Sequence, residues 1–224
     1  MRITEREITL PKTTKRLTRS SLSRAVRILT AQDPDLAKVV ARFGPPPLWE
    51  RAPGFPALIL IILEQQVSLS SARAAYARLQ EAAGEITPEN FLKLGDAELK
   101  AVGFSRQKAG YSRALAAAVV KEEFDISGLS SCCDVEAKER LMRMKGIGSW
   151  SADVYLMMSL GRPDVWPSGD LALATAVQAV KRMRRRPDPA RLEEMGRAWQ
   201  PWRAVAARIF WHFYLSGGLR LKDF

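Results

Sequence analysis

The stretch Leu141-Met-Arg-Met-Lys-Gly-Ile-Gly-Ser-Trp-Ser-Ala-Asp-Val154 carries the strongest structural signal in the chain. It predicts two helices joined by a hairpin over residues 145–149. Its two glycines permit a tight reversal with positive φ, and the isoleucine between them can fill the groove between the helices. The reversal would leave backbone N–H groups at the start of the second helix, where the helix dipole favours an anion. A DNA phosphate fits such a site, although Gly-x-Gly between helices is equally typical of an ordinary turn.

The rest of the chain predicts helices as well. Apolar residues recur at helical spacing almost everywhere, and no convincing run of alternating strand residues appears. Residues 55–66 are apolar on nearly every helical face, which is typical of a helix surrounded by others. The sequence therefore predicts an all-α fold of about ten helices, preceded by a basic arm over residues 1–20 that forms either a short strand pair or a flexible tail.

The charge balance indicates the class of partner. The 224 residues contain 35 Lys and Arg against 24 Asp and Glu, a net charge of +11. Such an excess favours a polyanion, meaning nucleic acid or an anionic membrane surface. The longest strongly apolar run, residues 57–63, is too short to span a bilayer, and residues 1–17 show no secretory signal. We therefore expect an intracellular protein with a nucleic-acid partner and no membrane.

Metal chemistry is not expected. The two cysteines, Cys132 and Cys133, are adjacent, and His212 is the one histidine. A disulfide between neighbours strains the backbone, and two thiols cannot complete a four-ligand zinc or iron–sulfur site. The pattern is typical of a reduced intracellular protein without a metal site.

Four segments together resemble the helix–hairpin–helix DNA glycosylase superfamily, in its 3-methyladenine DNA glycosylase II (AlkA-like) branch. They occur in the family's order over about residues 55–216. The segments are the hairpin with the loop Asp164-Val-Trp-Pro-Ser-Gly-Asp170 behind it, the early helix Phe55-Pro-Ala-Leu-Ile-Leu-Ile-Ile-Leu-Glu-Gln-Gln-Val-Ser68, the stretch Gly103-Phe-Ser-Arg-Gln-Lys-Ala109 and the closing helix Trp199-Gln-Pro-Trp-Arg-Ala-Val-Ala-Ala-Arg-Ile-Phe-Trp211.

The resemblance implies two helical subdomains with a cleft between them. Residues 55–165 form the one that ends in the hairpin, and residues 21–54 with 166–224 form the other. We expect no counterpart of the α/β domain that precedes the helices in the bacterial AlkA branch.

Asp170 is the catalytic candidate that the resemblance supplies. Excision of a base develops positive charge on the sugar, which an ionised carboxylate beside C1′ stabilises while it helps to orient or deprotonate water. Taken alone, an Asp ahead of Leu171-Ala-Leu-Ala is an ordinary helix N-cap. Both roles are compatible, because capping favours the ionised carboxylate.

Four aromatic residues, Trp150, Tyr155, Trp202 and Trp211, are the candidates for the base pocket. Indole and phenol faces attract a cationic alkylated purine, although large aromatics are as often buried for packing. Trp211 lies about half a turn away from the apolar stripe of its own helix, so a second surface must cover it. The branch has aromatics at Trp150 and Trp211, and another where this chain has Val154.

Trp150 also bears on the type of reaction. Family members that form a Schiff base with the sugar carry a lysine at this position, and an indole cannot be that nucleophile. Lys145 precedes the glycines and is out of register for the role. We therefore expect a monofunctional glycosylase that leaves an intact abasic site.

Further residues are predicted to contact DNA. The turn containing Gln65 and Gln66 is where the AlkA-like branch inserts a wedge into the duplex, with Leu at the Gln66 position; a solvent-exposed helix end is the alternative. The cluster over residues 181–186 is more typical of a solvated surface than of a DNA contact. The predicted backbone contacts are Lys145, Gly146, Ile147, Gly148, Ser149, Arg106 and Lys108.

The expected function is excision of alkylated purines, of the 3-methyladenine and 7-methylguanine type, from damaged double-stranded DNA. A non-catalytic helix–hairpin–helix protein that binds DNA damage and an oxidised-purine glycosylase are the alternatives. We expect a monomer in the cytoplasm of a prokaryote, associated with the nucleoid. No cofactor is expected to be required. In the DNA complex, the hairpin carbonyls could hold a monovalent cation, Na⁺ or K⁺.

Overall fold

A computed structural model describes residues 16–221, which contain twelve α-helices, three short 3₁₀ helices and no strand. The all-α prediction is therefore confirmed. The α-helices are α1 (Arg19–Gln32), α2 (Pro34–Phe43), α3 (Phe55–Glu64), α4 (Leu69–Ala83), α5 (Pro88–Lys93), α6 (Asp96–Val102), α7 (Arg106–Val120), α8 (Asp134–Met142), α9 (Ser149–Met158), α10 (Leu171–Val180), α11 (Pro189–Gly196) and α12 (Arg203–Leu215). The 3₁₀ helices cover Ser127–Ser131, Arg197–Trp199 and Gly218–Arg220.

The start of α1 corrects the predicted N-terminal arm. Residues 1–15 of that arm lie outside the described residues. Thr18 is the N-cap of α1 and forms a capping box with Ser21, so the helix begins at Arg19, inside the range predicted to be irregular. Leu17 is buried, and its N–H donates to the Gly161 carbonyl at 2.7 Å. The last residues of the predicted arm are therefore part of the folded core.

Helix α3 lies at the centre of one group of helices, as its apolar faces predict. Eight of its ten residues are buried. It packs against α4, α7 and α9, while α5 packs on α7, α6 on α4 and α7, and α8 on α9. This group places the hairpin, which connects α8 to α9, beside the end of α3.

A second group is built from both ends of the described chain. Helix α12 packs against α1, α2 and α10. Its apolar stripe from Val205 to Phe213 is buried, as the 3.6-residue spacing predicts. The rings of Trp166, Trp199 and Phe210 pack edge-on or tilted, with centroids 5.1 to 6.4 Å apart. This group holds the N-terminus of α10 next to α12.

Hydrogen bonds from α12 join the two groups near the end of α9. Arg208 of α12 donates from Nη2 to the Met157 carbonyl of α9 at 2.8 Å, and its Nε donates to the Leu48 carbonyl at 2.8 Å. The Ala204 N–H donates to the Pro163 carbonyl at 3.1 Å. The loop that leads to α10 therefore runs past the line where the groups meet, and Asp170 lies at the end of that loop.

Candidate active site and nucleic-acid interface

Asp170 is the N-cap of α10. Its Oδ1 accepts a hydrogen bond from the Leu173 N–H at 2.6 Å, and its backbone is extended, as a cap requires. The side chain is half-buried. The capping role considered from the sequence is thus present, and it fixes the carboxylate at the positive end of a helix dipole.

Two indole rings from other helices donate to the same carboxylate. Trp150, in the first turn of α9, donates from Nε1 to Oδ2 at 2.7 Å. Trp211, in the third turn of α12, donates from Nε1 to Oδ1 at 3.1 Å. An ionised carboxylate only accepts hydrogen bonds, so three donors match its charged form. Asp170, Trp150 and Trp211 form the group that we call the carboxylate cluster.

Tyr155 is not part of an open pocket. Its side chain is fully buried, and its hydroxyl accepts a hydrogen bond from the Gly54 N–H at 3.0 Å. Burial raises the pKa of this hydroxyl. The prediction of Tyr155 as a pocket wall is therefore wrong. Tyr155 follows Trp150 by five positions, which turns it away from the helix face that meets Asp170.

Trp202 lies at the other end of α12 from the carboxylate cluster. It is the N-cap of that helix and is partly exposed. Trp211 follows Trp202 by nine positions, which correspond to about 13.5 Å along the axis. No hydrogen bond described within residues 16–221 joins Trp202 to Asp170. The structure brings two of the four predicted aromatics together with the carboxylate.

The hairpin has the geometry that its glycines predict. Gly146 has a φ of +89°, and the Ile147 side chain is buried between the helices. Gly148 is the N-cap of α9 and supplies no side-chain cap. The first helical bond of α9 runs from the Ala152 N–H to the Gly148 carbonyl at 3.0 Å. The backbone N–H groups of residues 149–151 are therefore not used by the first helical turn, and Lys145 and Ser149 are exposed beside them.

A buried ion pair supports the hairpin from inside, and sequence reasoning missed it. Asp153 is 2% exposed, and its Oδ1 lies 2.6 Å from Nζ of Lys138 in α8. Its Oδ2 accepts a hydrogen bond from Ser149 Oγ at 3.3 Å. Burial raises the pKa of the Asp153 carboxyl against the opposing effect of Lys138. The available signal was an acidic residue inside the apolar run of α9.

Gln65 does not point into solvent as a wedge would. Its Nε2 donates to the Gly146 carbonyl at 2.8 Å and to Ser151 Oγ at 3.0 Å. Because its amide is bonded to the hairpin, Gln65 ties the end of α3 to α9, and its predicted wedge role is wrong. Gln66 is exposed with a φ of +57°, and the neighbouring Val67 and Leu69 are 46% and 43% exposed.

Lys108 is a helix cap and not a DNA contact. Its Nζ donates to the Leu63 carbonyl at 2.7 Å and to the Gln65 carbonyl at 2.8 Å. Partial burial lowers the pKa of this ammonium group. The predicted phosphate contact is therefore wrong for Lys108, whose donors satisfy the C-terminal carbonyls of α3. Arg106 is exposed at the start of α7.

In the basic cluster over residues 181–186, at the end of α10, the lysine forms ion pairs and the arginines are exposed. Lys181 is bonded to Asp33 at 2.7 Å and to Asp35 at 3.0 Å, which joins α10 to α2. The hydrogen bonds from Lys181 and Trp199 lower the pKa of Asp33 even though burial opposes them. Arg182 and residues 184–186 are exposed.

No metal site or membrane span is found in the part of the chain that the structure describes. Residues 16–221 contain no group of three His, Cys, Asp or Glu side chains that could hold a metal ion. None of the described helices is long and apolar enough to cross a bilayer.

Comparison with known proteins identifies the family. The model of the "HhH-GPD superfamily base excision DNA repair protein" matches residues 59–202, a range that includes both the hairpin and Asp170. The chain is 28% identical over 204 residues to DNA-3-methyladenine glycosylase 1 of Schizosaccharomyces pombe. The match covers 86% of this chain and 87% of that protein. It is 27% identical over 158 residues to a putative DNA-3-methyladenine glycosylase, YfjP, of Bacillus subtilis. That match covers 67% of this chain, which spans only 55% of the Bacillus protein's length.

Solved structures agree with this result. The DNA-3-methyladenine glycosidase of Bacillus halodurans superposes with a TM-score of 0.72 at 30% identity, covering 88% of this chain and 90% of that one. The S. pombe 3-methyladenine DNA glycosylase Mag1, in complex with abasic DNA, superposes with a TM-score of 0.75 at 27% identity, covering 90% and 98% of the two chains. Since the family model matches well over half of the residues, the hairpin and Asp170 among them, the resemblance is confirmed, and the chain belongs to the HhH-GPD superfamily of base excision DNA repair proteins.

Proposed function

We propose that the protein is a monofunctional DNA glycosylase that excises alkylated purines of the 3-methyladenine and 7-methylguanine type. The observation that carries this proposal is the Asp170 carboxylate, held at a helix N-terminus between the indoles of Trp150 and Trp211. The relatives named as 3-methyladenine DNA glycosylases support the choice of substrate class. The product is DNA with an intact abasic site.

In this reaction the bond between C1′ and the base nitrogen breaks, and its electron pair leaves with the base. The sugar acquires oxocarbenium character, which the negative charge of Asp170 stabilises. A water molecule then adds its oxygen to C1′, and the carboxylate orients it or accepts its proton. An alkylated purine is already cationic, so it leaves without a strong acid in the pocket.

The indoles supply the surface for the extruded base. The Nε1 edges of Trp150 and Trp211 point at the carboxylate, so a base that presents C1′ to Asp170 lies beside their rings. A cation over an indole face gains about 1–2 kcal/mol once it is desolvated. Trp150 is half-buried and Trp211 is buried, so Trp150 is the more accessible residue of the two. Because an indole cannot form a Schiff base, Trp150 supports hydrolysis without lyase chemistry.

The hairpin and the turn after α3 would hold the duplex. The N–H groups at the start of α9 suit a backbone phosphate, with Lys145 and Ser149 beside them. Gln66 is our proposed wedge, because it is exposed, has a left-handed backbone and is followed by two exposed apolar residues. Arg106 is a proposed phosphate contact.

The protein would act as a monomer on chromosomal DNA in the cytoplasm, without a required cofactor. Carbonyl oxygens suit a monovalent cation, and we propose those of the hairpin for it in the DNA complex. The Gly146 carbonyl already accepts from Gln65, so such an ion would rely on the other hairpin carbonyls.

The test is Asp170→Asn, which removes the charge and keeps the shape. We expect base release to fall at least about a hundredfold, because the charge on the sugar loses its counterion, while affinity for abasic DNA is retained. Base release is measured on duplexes that each carry one modified base, scored as alkali-labile sites. The panel contains 3-methyladenine, 7-methylguanine, 1-methyladenine and 8-oxoguanine.

The alternatives are separate outcomes of this panel. Damage-specific binding without base release from any duplex would indicate a non-catalytic damage-binding protein. Release of 8-oxoguanine alone would indicate an oxidised-purine glycosylase. Strand breaks before alkali treatment would contradict the absence of lyase activity.

A further inference from the structure

We infer that the indole N–H groups of Trp150 and Trp211 position the Asp170 carboxylate for reaction, and that Oδ2 is the oxygen that faces the sugar. The inference rests on the proposed function, and it assigns to both indoles a role different from stacking on a base. It follows from which donor meets which oxygen.

The three donors come from three helices. Oδ1 accepts from the Leu173 N–H of α10 at 2.6 Å and from Trp211 Nε1 of α12 at 3.1 Å. Among residues 16–221, Trp150 Nε1 of α9 is the one donor to Oδ2, at 2.7 Å. A helix cap by itself fixes one oxygen and leaves the other free to rotate about it. The bond from Trp150 removes that rotation, and it does so from the helix that begins at the DNA-binding hairpin.

The two oxygens of the Asp170 carboxylate differ in the number of lone-pair sites that remain free. An ionised carboxylate offers about four lone-pair sites, two on each oxygen. Oδ1 uses both of its sites on Leu173 and Trp211, whereas Oδ2 uses one on Trp150. Oδ2 therefore keeps a site for the water or for the cationic sugar. Trp150 and Trp211 act through this carboxylate, so they are positioning residues.

Phenylalanine separates positioning from stacking. A Trp side chain has a single donor, Nε1–H, and no acceptor. Trp150→Phe and Trp211→Phe each keep an aromatic face and remove that donor. If the indoles only stack on the base, these variants lose little, and a probe without a base is not affected at all.

The experiment compares two duplexes that lack a base at the site. One contains a tetrahydrofuran abasic analogue, which is neutral, and the other a pyrrolidine analogue, whose ring nitrogen is cationic. The wild type should prefer the pyrrolidine duplex, because its charge lies near the carboxylate. We expect each Phe variant to lose at least about tenfold in affinity for the pyrrolidine duplex and nothing for the tetrahydrofuran duplex.

The ratio of the two affinities is the readout, and it is independent of how much of a preparation is folded. Trp199→Phe is the matched control: it removes an indole donor that binds a different carboxylate, Oδ2 of Asp33, at 2.9 Å, and its ratio should equal that of the wild type. A wild-type ratio in both Trp150→Phe and Trp211→Phe would overturn the inference.

Asp170→Asn distinguishes this failure from failure of the proposed function. If the proposed function is right, this variant has no preference for the pyrrolidine duplex. If it retains the preference, the proposed function fails. If Asp170→Asn loses the preference while the Phe variants keep it, the inference about the indoles fails and the proposed function stands.

Discussion

Arg106 and Lys108 differ in what they do, although they stand two positions apart at the start of α7. The Lys108 ammonium donates to two carbonyls at the end of α3, and the Arg106 guanidinium is exposed. Removal of a donor leaves its partly buried acceptors without a partner, which costs about 1–3 kcal/mol. We expect Lys108→Met to lower the free energy of unfolding by about 2 kcal/mol, measured by urea denaturation.

Arg106→Gln is the complementary variant. Its unfolding free energy should stay within about 0.5 kcal/mol of the wild type, as for most exposed positions. Loss of one phosphate contact should weaken binding to any duplex and reduce the slope of log affinity against log salt by about 1. Fluorescence anisotropy at several salt concentrations measures this slope. Unchanged stability together with weaker DNA binding in Lys108→Met would instead make Lys108 a DNA contact.

The hairpin shows at the scale of an element why two similar glycines are not equivalent. Gly146 has a φ of +89°, and a Cβ there would overlap the ring of Tyr111. Gly148 has a φ of −91°, and a Cβ there would meet no atom within 4 Å. Gly146→Ala should therefore cost at least about 2 kcal/mol of stability, since both the backbone and the packing are strained. Thermal unfolding of both variants measures the difference.

Gly148→Ala serves as the control for stability and as a probe of the DNA interface. Its melting temperature should fall much less than that of Gly146→Ala, because alanine is only a poorer N-cap than glycine and meets no steric clash at this position. Its affinity for abasic DNA should fall, because a methyl group there stands in front of the α9 N–H groups that we assign to the phosphate. Equal destabilisation by both substitutions would show that the conformation of Gly146 is not the cause.

Local elements could be predicted from the sequence, and contacts between distant elements could not. The apolar stretch over residues 55–66 predicts the buried helix α3, which covers Phe55–Glu64, because the pattern lies within the helix itself. The contacts of Gln65 with the hairpin join residues 81 and 86 positions apart, so no local pattern reports them. Trp211 is an intermediate case, since its place off the apolar stripe predicted a second covering surface that the structure supplies in Asp170.

At the scale of the whole molecule, the two groups of helices are joined at both ends of α9. The carboxylate cluster lies at the start of α9, and Arg208 binds the end of the same helix. Asp170 is held beside α12, so the position of α12 against α9 sets the distance from Trp150 of α9 to Asp170. Stability and catalytic geometry therefore depend on the same interface.

Arg208→Lys tests this dependence. Arg208 is 1% exposed, and its guanidinium donates to the carbonyls of Leu48, Ala204 and Met157 at 2.8 to 2.9 Å. Burial lowers its pKa to about 10, which leaves it charged at neutral pH. A lysine ammonium cannot reach three carbonyls in this fork geometry, so we expect a loss of about 3 kcal/mol in unfolding free energy. Base release should fall as well, even well below the melting temperature, because Trp150 of α9 shifts against Asp170. Arg197 is exposed, so Arg197→Lys should change neither stability nor base release. Normal base release by a destabilised Arg208→Lys would show that the geometry of the site does not depend on this interface.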